Sequence, residues 1–393
     1  MSIYRQYAGN KQRQNCPFQR KKMAAGYGGL NAVIADAKRT IFGKENGLLK
    51  QFLPEDLAAP LISCLGRKLE NQIDEVILGN ATGRGGNLAR LSALEAGLPL
   101  SVPGMTIDRQ CGSGLEAVRS ACNLIKAGAG NIYIAGGAES SSRSPFSKRA
   151  RFSPDTVGDP DMGMAAEYTA ARYAIPRNMQ DEYALLSFQR SWSAHTEGLY
   201  REEIVPLGEL ETDEAFLKRR PMEAIISRAK PVFDTSSGTV TAANSSGISD
   251  GAAALLVMEE KKAASLGYKS VLRFIGSAVS GIHPNYPSAA PVEAIKKLLA
   301  ANALTTDDIG LFEINEAFAV KICVCSQELG IPYTKINVRG GALAHGHPYG
   351  ASGAALVTRL FYEAQRRTGC QYAVAAIGSG GGIGLALLFE VLA

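Results

Sequence analysis

"GSGLEAVRSACNLIKAGAGNIYIAGGAES", residues 112–140, decides the fold class. Its first part reads as an amphipathic helix whose buried face opens with Leu115 and Val118, and "NIYIAGGAES" (131–140) reads as a short apolar strand. The same pair recurs late in the chain as "GASGAALVTRLFYEAQ" (350–365) and "YAVAAIGSGGG" (372–382). The flanks repeat too. Before the first pair lie strand "LNAVIAD" (30–36), helix "EDLAAPLISCLGRKL" (55–69), strand "DEVILGNA" (74–81), helix "NLARLSALEAG" (87–97) and strand "MTID" (105–108). Before the second lie "VLRFIGSAVSG" (271–281), "PVEAIKKLLAAN" (291–302), "GLFEINEA" (310–317), "VKICVCSQELG" (320–330) and "KINVRGG" (335–341), in the same order of element types. Strand-length apolar runs alternating with amphipathic helices predict parallel sheets covered by helices, and the duplication predicts two pseudo-equivalent α/β layers.

This pattern divides the chain. Residues 29–140 plus 245–267 form an N-terminal half, in which "AAALLVMEE" (252–260) completes the first sheet, and residues 268–393 form a C-terminal half. Residues 141–244 break the repeat with Pro, Ser, Arg and Asp ("SSRSPFSKRARFSPDTVGDPDMG", 141–163) around a helical stretch, "QDEYALLSFQRSWSAHTEG" (180–198). An insertion of that size on an α/β core predicts a lid or substrate-binding subdomain. Residues 1–28 carry six basic residues and no acid, and read as a disordered extension.

Charge and hydropathy exclude several functions. Without that leader the body holds 36 basic against 37 acidic residues, so the net charge of +5 supports no nucleic-acid partner. The longest apolar runs are strand-length, far short of the roughly 20 residues that span a bilayer, which predicts no membrane segment. Seven cysteines, an odd number without a C-x-x-C pair, predict reduced thiols in a cytoplasmic protein. Their spacing predicts no metal site.

Cys111, in "IDRQCGSGLEAV" (107–118), stands where a strand ends and a helix begins. Free N–H groups and the positive end of the helix dipole predict a lowered thiol pKa there, as a nucleophile requires; a small buried core residue is the plainer alternative. The matching junction of the second half is "GGALAHGHPYGASG" (340–353), with His345 and His347, and converging junctions would let a histidine take the thiol proton. "NEAFA" (315–319) ends another strand, where the Asn315 amide is placed to donate to an oxyanion, directly or through water.

These residues together resemble the thiolase family. The resemblance runs from about residue 30 to the end, through "GGNLARLSALEAGLPLSVPGMTIDRQCGSGLEAV" (85–118), "NIYIAGGAESSS" (131–142), "GTVTAANSSGISDGAAALLVME" (238–259), "EINEAFA" (313–319) and "GGALAHGHPYGASG". It implies a duplicated five-layer α/β/α/β/α fold with an inserted loop subdomain, in a homodimer or homotetramer. It implies an acyl-CoA C-acyltransferase, reversibly cleaving or forming acetoacetyl-CoA or another 3-ketoacyl-CoA. Cys111 would carry the acyl group as a thioester, and His347 would activate it. His347 and a water held by Asn315 would form one oxyanion hole, and the N–H groups of Cys111 and Gly380 the other. Ser246 matches a position near the pantetheine arm of coenzyme A, and Met162 a substrate-contacting methionine. Arg220, in "KRRP" (218–221), is a candidate for a coenzyme A phosphate. Coenzyme A and acyl-CoA are then substrates, and no cofactor is implied.

One departure bears on mechanism. Thiolases use a second cysteine as acid/base at the carbon beside the thioester, and in "AAIGSGGGIG" (375–384) Gly378 occupies its place, with Ser379 next. Ser379 or His345 is then the candidate proton relay. The alternatives are a condensing enzyme that needs no second cysteine and a coenzyme A-binding scaffold. Asp161 also departs, standing where many short-substrate thiolases have histidine.

Overall fold

The computed structural model describes residues 29–392, apart from 84, 147, 148 and 368. The basic leader and Cys16 lie outside the described residues. The strands are β1 (Ala32–Arg39), β2 (Gly43–Lys44), β3 (Glu75–Gly79), β4 (Gly104–Ile107), β5 (Ile132–Glu139), β6 (Ser249–Glu259), β7 (Leu272–Gly281), β8 (Ile309–Ile314), β9 (Tyr372–Ser379) and β10 (Ile383–Val391). The helices are α1 (Pro54–Gly66), α2 (Leu88–Glu95), α3 (Ser113–Lys126), α4 (Met162–Arg172), α5 (Arg177–Thr196), α6 (Met222–Arg228), α7 (Glu260–Ser265), α8 (Ala290–Ala301), α9 (Ala319–Leu329), α10 (Ala342–His345) and α11 (Tyr349–Arg366).

The strands run in the order β4-β3-β5-β6-β1-β7-β10-β9-β8, with β2 paired to β6. The first five belong to one half and the last four to the other. Within the sheet the halves join where β1 pairs with β7, at Val33 opposite Arg273 and Ile34 opposite Leu272. The expectation of parallel sheets holds for β3–β4, β3–β5 and β8–β9 alone; β6 and β10 pair antiparallel with both neighbours. Both strands are buried on two faces, so their continuous apolar runs look the same in either orientation. "KINVRGG" is not a strand: Ile336 makes one isolated bridge to Phe312.

Helices cover the strands in layers. α1 pads the outer face of the first half, and α8 and α9 that of the second, each over its own apolar core. Between the halves lie α3 and α11, sharing a third core. On α3 the residues Leu115, Val118, Ala121, Cys122 and Ile125 recur at helical spacing, and all are fully buried. Each large aliphatic residue so buried contributes about 1.5–3 kcal/mol. The inserted segment adds α4 and α5 against α9, with Ala166 and Tyr183 joining the core of the second half.

The first turns of α3 and α11 touch backbone to backbone. A Cβ at Gly114 would sit 2.5 Å from the Gly350 carbonyl oxygen, and one at Gly353 would sit 2.4 Å from the Leu115 nitrogen. Only glycine admits this approach. Cys111 and His347 lie just ahead of these two touching first turns.

Candidate active site

Cys111 lies in a tight turn between β4 and α3. Gln110 takes a left-handed φ of 52°, and the Ser113 hydroxyl accepts from Arg109 N (2.8 Å) and donates to Gln110 O (2.6 Å). Burial, the largest influence, pushes the partly exposed thiol up to about 11. The Lys321 ammonium acts against that shift, Glu139 and Asp108 add to it, and a backbone hydrogen bond opposes it. The lowering expected from the helix terminus is therefore overturned: desolvation of the thiolate outweighs it. The resting site holds a thiol.

His347, ahead of α11, is 3% exposed and its N–H donates to Gly247 O at 2.9 Å. Its Nδ1 lies 2.6 Å from Ser352 Oγ and its Nε2 lies 3.3 Å from Asn315 Nδ2. An amide nitrogen only donates, so Nε2 accepts and Nδ1–H donates to Ser352. Burial, then the Lys321 ammonium, lower the imidazole to about 3. A neutral ring whose Nε2 lone pair holds only the 3.3 Å bond from Asn315 can receive a proton when that bond gives way.

Asn315 follows β8 and is fixed by its N–H to Ala376 O, at 3.0 Å. Its neighbour Glu316 is fully buried and accepts from Tyr183 Oη (2.5 Å), Ser187 Oγ (2.7 Å), Asn337 Nδ2 (2.8 Å) and Leu343 N (3.1 Å). That carboxylate ties the inserted α5 to α10 and so to the histidine loop. Glu139, at the end of β5, holds Gly350 N (2.9 Å) and Thr82 from the two halves. Neither carboxylate was singled out from sequence, because their partners are distant along the chain.

The turn after β9 closes the site. Ser379 Oγ lies 3.0 Å from where a Cβ on Gly112 would stand, so its hydroxyl faces the start of α3. The Phe152 ring of the inserted segment covers Gly380, 2.6 Å from a Cβ placed there. At Gly378 a Cβ would meet Pro287 O at 2.6 Å and Pro291 Cδ at 2.9 Å. The Gly378 carbonyl accepts from Lys321 Nζ at 3.0 Å, a contact the sequence did not suggest. The available signal was a lone lysine inside the apolar run of α9.

The remaining candidates surround this centre. His345 ends α10 among Tyr200 (5.5 Å between ring centroids), Phe216 (5.8 Å) and Phe42 (6.5 Å). Arg359 Nη2 lies 3.3 Å from both of its ring nitrogens, and burial followed by Arg359 and Arg39 pushes its pKa well down. Ser246 donates to Ala317 O at 3.0 Å, beside Asn315. Met162 opens α4 and packs on the core of the second half, while the Asp161 carboxylate caps that helix through Gly163 N at 2.9 Å. Arg220 lines a cleft of about 990 Å³ with Lys218, Arg219, Trp192 and Met222, bounded at its inner end by His345 and Gly346. Arg219 lies over the Trp192 ring, 5.7 Å from its centroid.

A thiol and a neutral imidazole ahead of the facing starts of two central helices, with an amide from the end of β8 on the imidazole, are the groups of a thiolase-type acyltransferase. The comparisons agree. The family description "Thiolase, N-terminal domain" matches residues 32–261, and "Thiolase, C-terminal domain" matches residues 268–391. The "Putative acetyl-CoA C-acetyltransferase YhfS" of Bacillus subtilis (strain 168) is 84% identical over 364 residues, covering 93% of this chain and all of the relative. The VraB protein of Staphylococcus aureus (strain COL), described in the same words, is 46% identical over 381 residues, covering 91% and 98%. The crystal structure of the Bacillus anthracis acetyl-CoA acetyltransferase superposes with a TM-score of 0.86 at 36% identity, covering 93% of this chain and 99% of that one. The chain belongs to the thiolase family.

Proposed function

We propose that the protein cleaves 3-ketoacyl-CoA with coenzyme A, and runs the reverse Claisen condensation, through an S-acyl Cys111 intermediate. The observation that carries this reading is the contact between the first turns of α3 and α11, the helices that follow Cys111 and His347, together with the contact of His347 Nε2 with Asn315 Nδ2. His347 Nε2 takes the thiol proton, and the resulting N–H, with Asn315, stabilises the oxyanion. The N–H groups of Cys111 and Gly380 serve the second oxyanion. Lys218, Arg219 and Arg220 suit the phosphates of coenzyme A, and Trp192 offers a face for its base. Ser246 and Met162 would meet the pantetheine arm and the acyl chain. No cofactor is called for, and this substrate class would fit fatty acid metabolism.

Further support bears on its setting. The β4 edge is unpaired among the described residues, and Leu91, Leu94, Leu100 and Met105 stand exposed beside it. An open edge with such residues favours a homodimer or homotetramer. The free cysteines among the described residues favour the cytoplasm. Gly378 favours a second reading, a condensing enzyme that makes its carbanion without a cysteine base. Thiolysis of acetoacetyl-CoA by the purified protein, followed by loss of enolate absorbance, separates them. Turnover abolished by Cys111→Ala supports the first reading; none with any 3-ketoacyl-CoA turns the assignment to the second.

A further inference from the structure

Lys321 is a buried cation that the mechanism above leaves unused. It lies on the first turn of α9 at 1% exposure, and it forms no ion pair among the described residues. Its one hydrogen bond there runs to the Gly378 carbonyl, so two of its three donors are open. An ammonium without a carboxylate is costly to bury, which argues for a use. One contact locates its head: the hydrogen bond to Gly378, whose neighbour Ser379 turns its hydroxyl toward Gly112, the residue after Cys111; the electrostatic pull of Lys321 on Cys111 and His347 agrees with that place. It therefore stands at the end of β9 that faces the start of α3, against Gly378, where a Cβ would meet Pro287 O at 2.6 Å. Burial lowers its pKa, while Cys111 and Cys325 pull it upward. A lysine brought toward neutrality can exchange protons with carbon.

We propose that Lys321 Nζ is the acid/base for the carbon beside the thioester, the role that Gly378 has no side chain to fill. The proposal rests on the acyl-transfer reading. In thiolysis His347 takes the Cys111 proton and the thiolate adds to the ketone carbon. The bond between that carbon and the α-carbon breaks, and its electron pair forms the enolate of acetyl-CoA. Lys321 ammonium protonates the α-carbon and becomes the amine. Coenzyme A then gives its thiol proton to that amine and attacks the acyl group, and Cys111 leaves and recovers its proton from His347. Both bases end as they began. Condensation reverses each step.

The test separates α-carbon proton transfer from acyl transfer. Acetylation of Cys111 by acetyl-CoA needs no α-proton, whereas thiolysis and exchange of the acetyl-CoA methyl protons into deuterium oxide do. Lys321→Met is expected to keep Cys111 acetylation and lose thiolysis and exchange by about 10²- to 10⁴-fold. Lys321→Arg keeps the charge and the bond to Gly378 but holds its proton, and is expected to behave alike. Wild-type exchange, measured on acetylated enzyme so that Cys111 is silent, is expected to rise with pH to a plateau whose midpoint lies below that of an ordinary lysine. Of the other groups facing Lys321, His347 stays neutral throughout and Cys325, pushed up to about 12, titrates later. Three outcomes overturn the proposal: exchange in either variant at the wild-type rate, loss of acetylation together with exchange in folded variants, or a flat wild-type profile. Absence of Cys111 acetylation in the wild type sinks instead the acyl-transfer reading beneath it.

Discussion

Gly114→Ala tests how the two halves are brought to one site. The new methyl would stand 2.5 Å from Gly350 O, 3.1 Å from Ala354 N and 3.4 Å from Ala354 Cβ. Two of these are backbone atoms that no rotamer change can move. For the first contact to reach 3.4 Å, α3 and α11 must part by about 0.9 Å. Overpacking of this kind costs about 1–3 kcal/mol, while alanine's helix propensity returns about 1 kcal/mol over glycine. The net loss of about 0–2 kcal/mol leaves the protein folded. Activity is more exposed, since Cys111 and His347 sit at the ends of the helices being pushed apart, and a misplacement of about 1 Å can cost about 10²-fold in rate. Thermal unfolding and acetoacetyl-CoA thiolysis on the same preparation measure both. A small drop in Tm with kcat down by about two orders of magnitude is expected. A folded variant with wild-type kcat would refute the claim that this contact sets the site.

Gly378→Cys, which installs the cysteine that the resemblance implies for this position, places its Cβ against Pro287 O; a loss of about 1–3 kcal/mol with no gain in kcat is expected, and faster thiolysis would contradict it. Alkylation of Cys111 in the ligand-free protein, read at that residue by peptide mass spectrometry, should be slow at neutral pH and rise toward a midpoint near 11 as the thiol loses its proton. A midpoint at or below the ordinary thiol range would show that the helix terminus outweighs burial. His345→Leu keeps an apolar body among Tyr200, Phe216 and Phe42, so kcat within a few fold of wild type is expected; a large loss restores His345 as a proton relay.

The α3 and α11 repeat was legible because each helix buries one face, and a buried face writes itself as periodic Leu, Val, Ile and Ala. The family motifs singled out Cys111, His347 and Asn315; Cys111 and Asn315 each follow a strand that the repeat aligns, and His347 precedes the helix that matches α3. Strand direction was not legible. β6 and β10 bury both faces, and nothing in an unbroken apolar run records which way a neighbour points. "KINVRGG" has strand-like composition, but Arg190 takes its Ile336 carbonyl, and the ladder there is reduced to the bond from Asn337 N to Phe312 O. The thiol pKa was misjudged because the helix terminus is local and readable, whereas the burial that outweighs it comes from a distant fold. Lys321 escaped notice because the hydrogen bond of its ammonium crosses 57 residues to a carbonyl.

The central claim is that Cys111 accepts an acyl group from a thioester with His347 as its base. Intact-protein mass spectrometry after mixing with acetyl-CoA, with peptide mapping of the product, tests it most directly. One acetyl group on Cys111, absent from Cys111→Ala and formed about 10²- to 10⁴-fold more slowly by His347→Ala, is the predicted result. An unmodified Cys111 in protein that binds acetyl-CoA would contradict the claim and leave the fold as a binding scaffold.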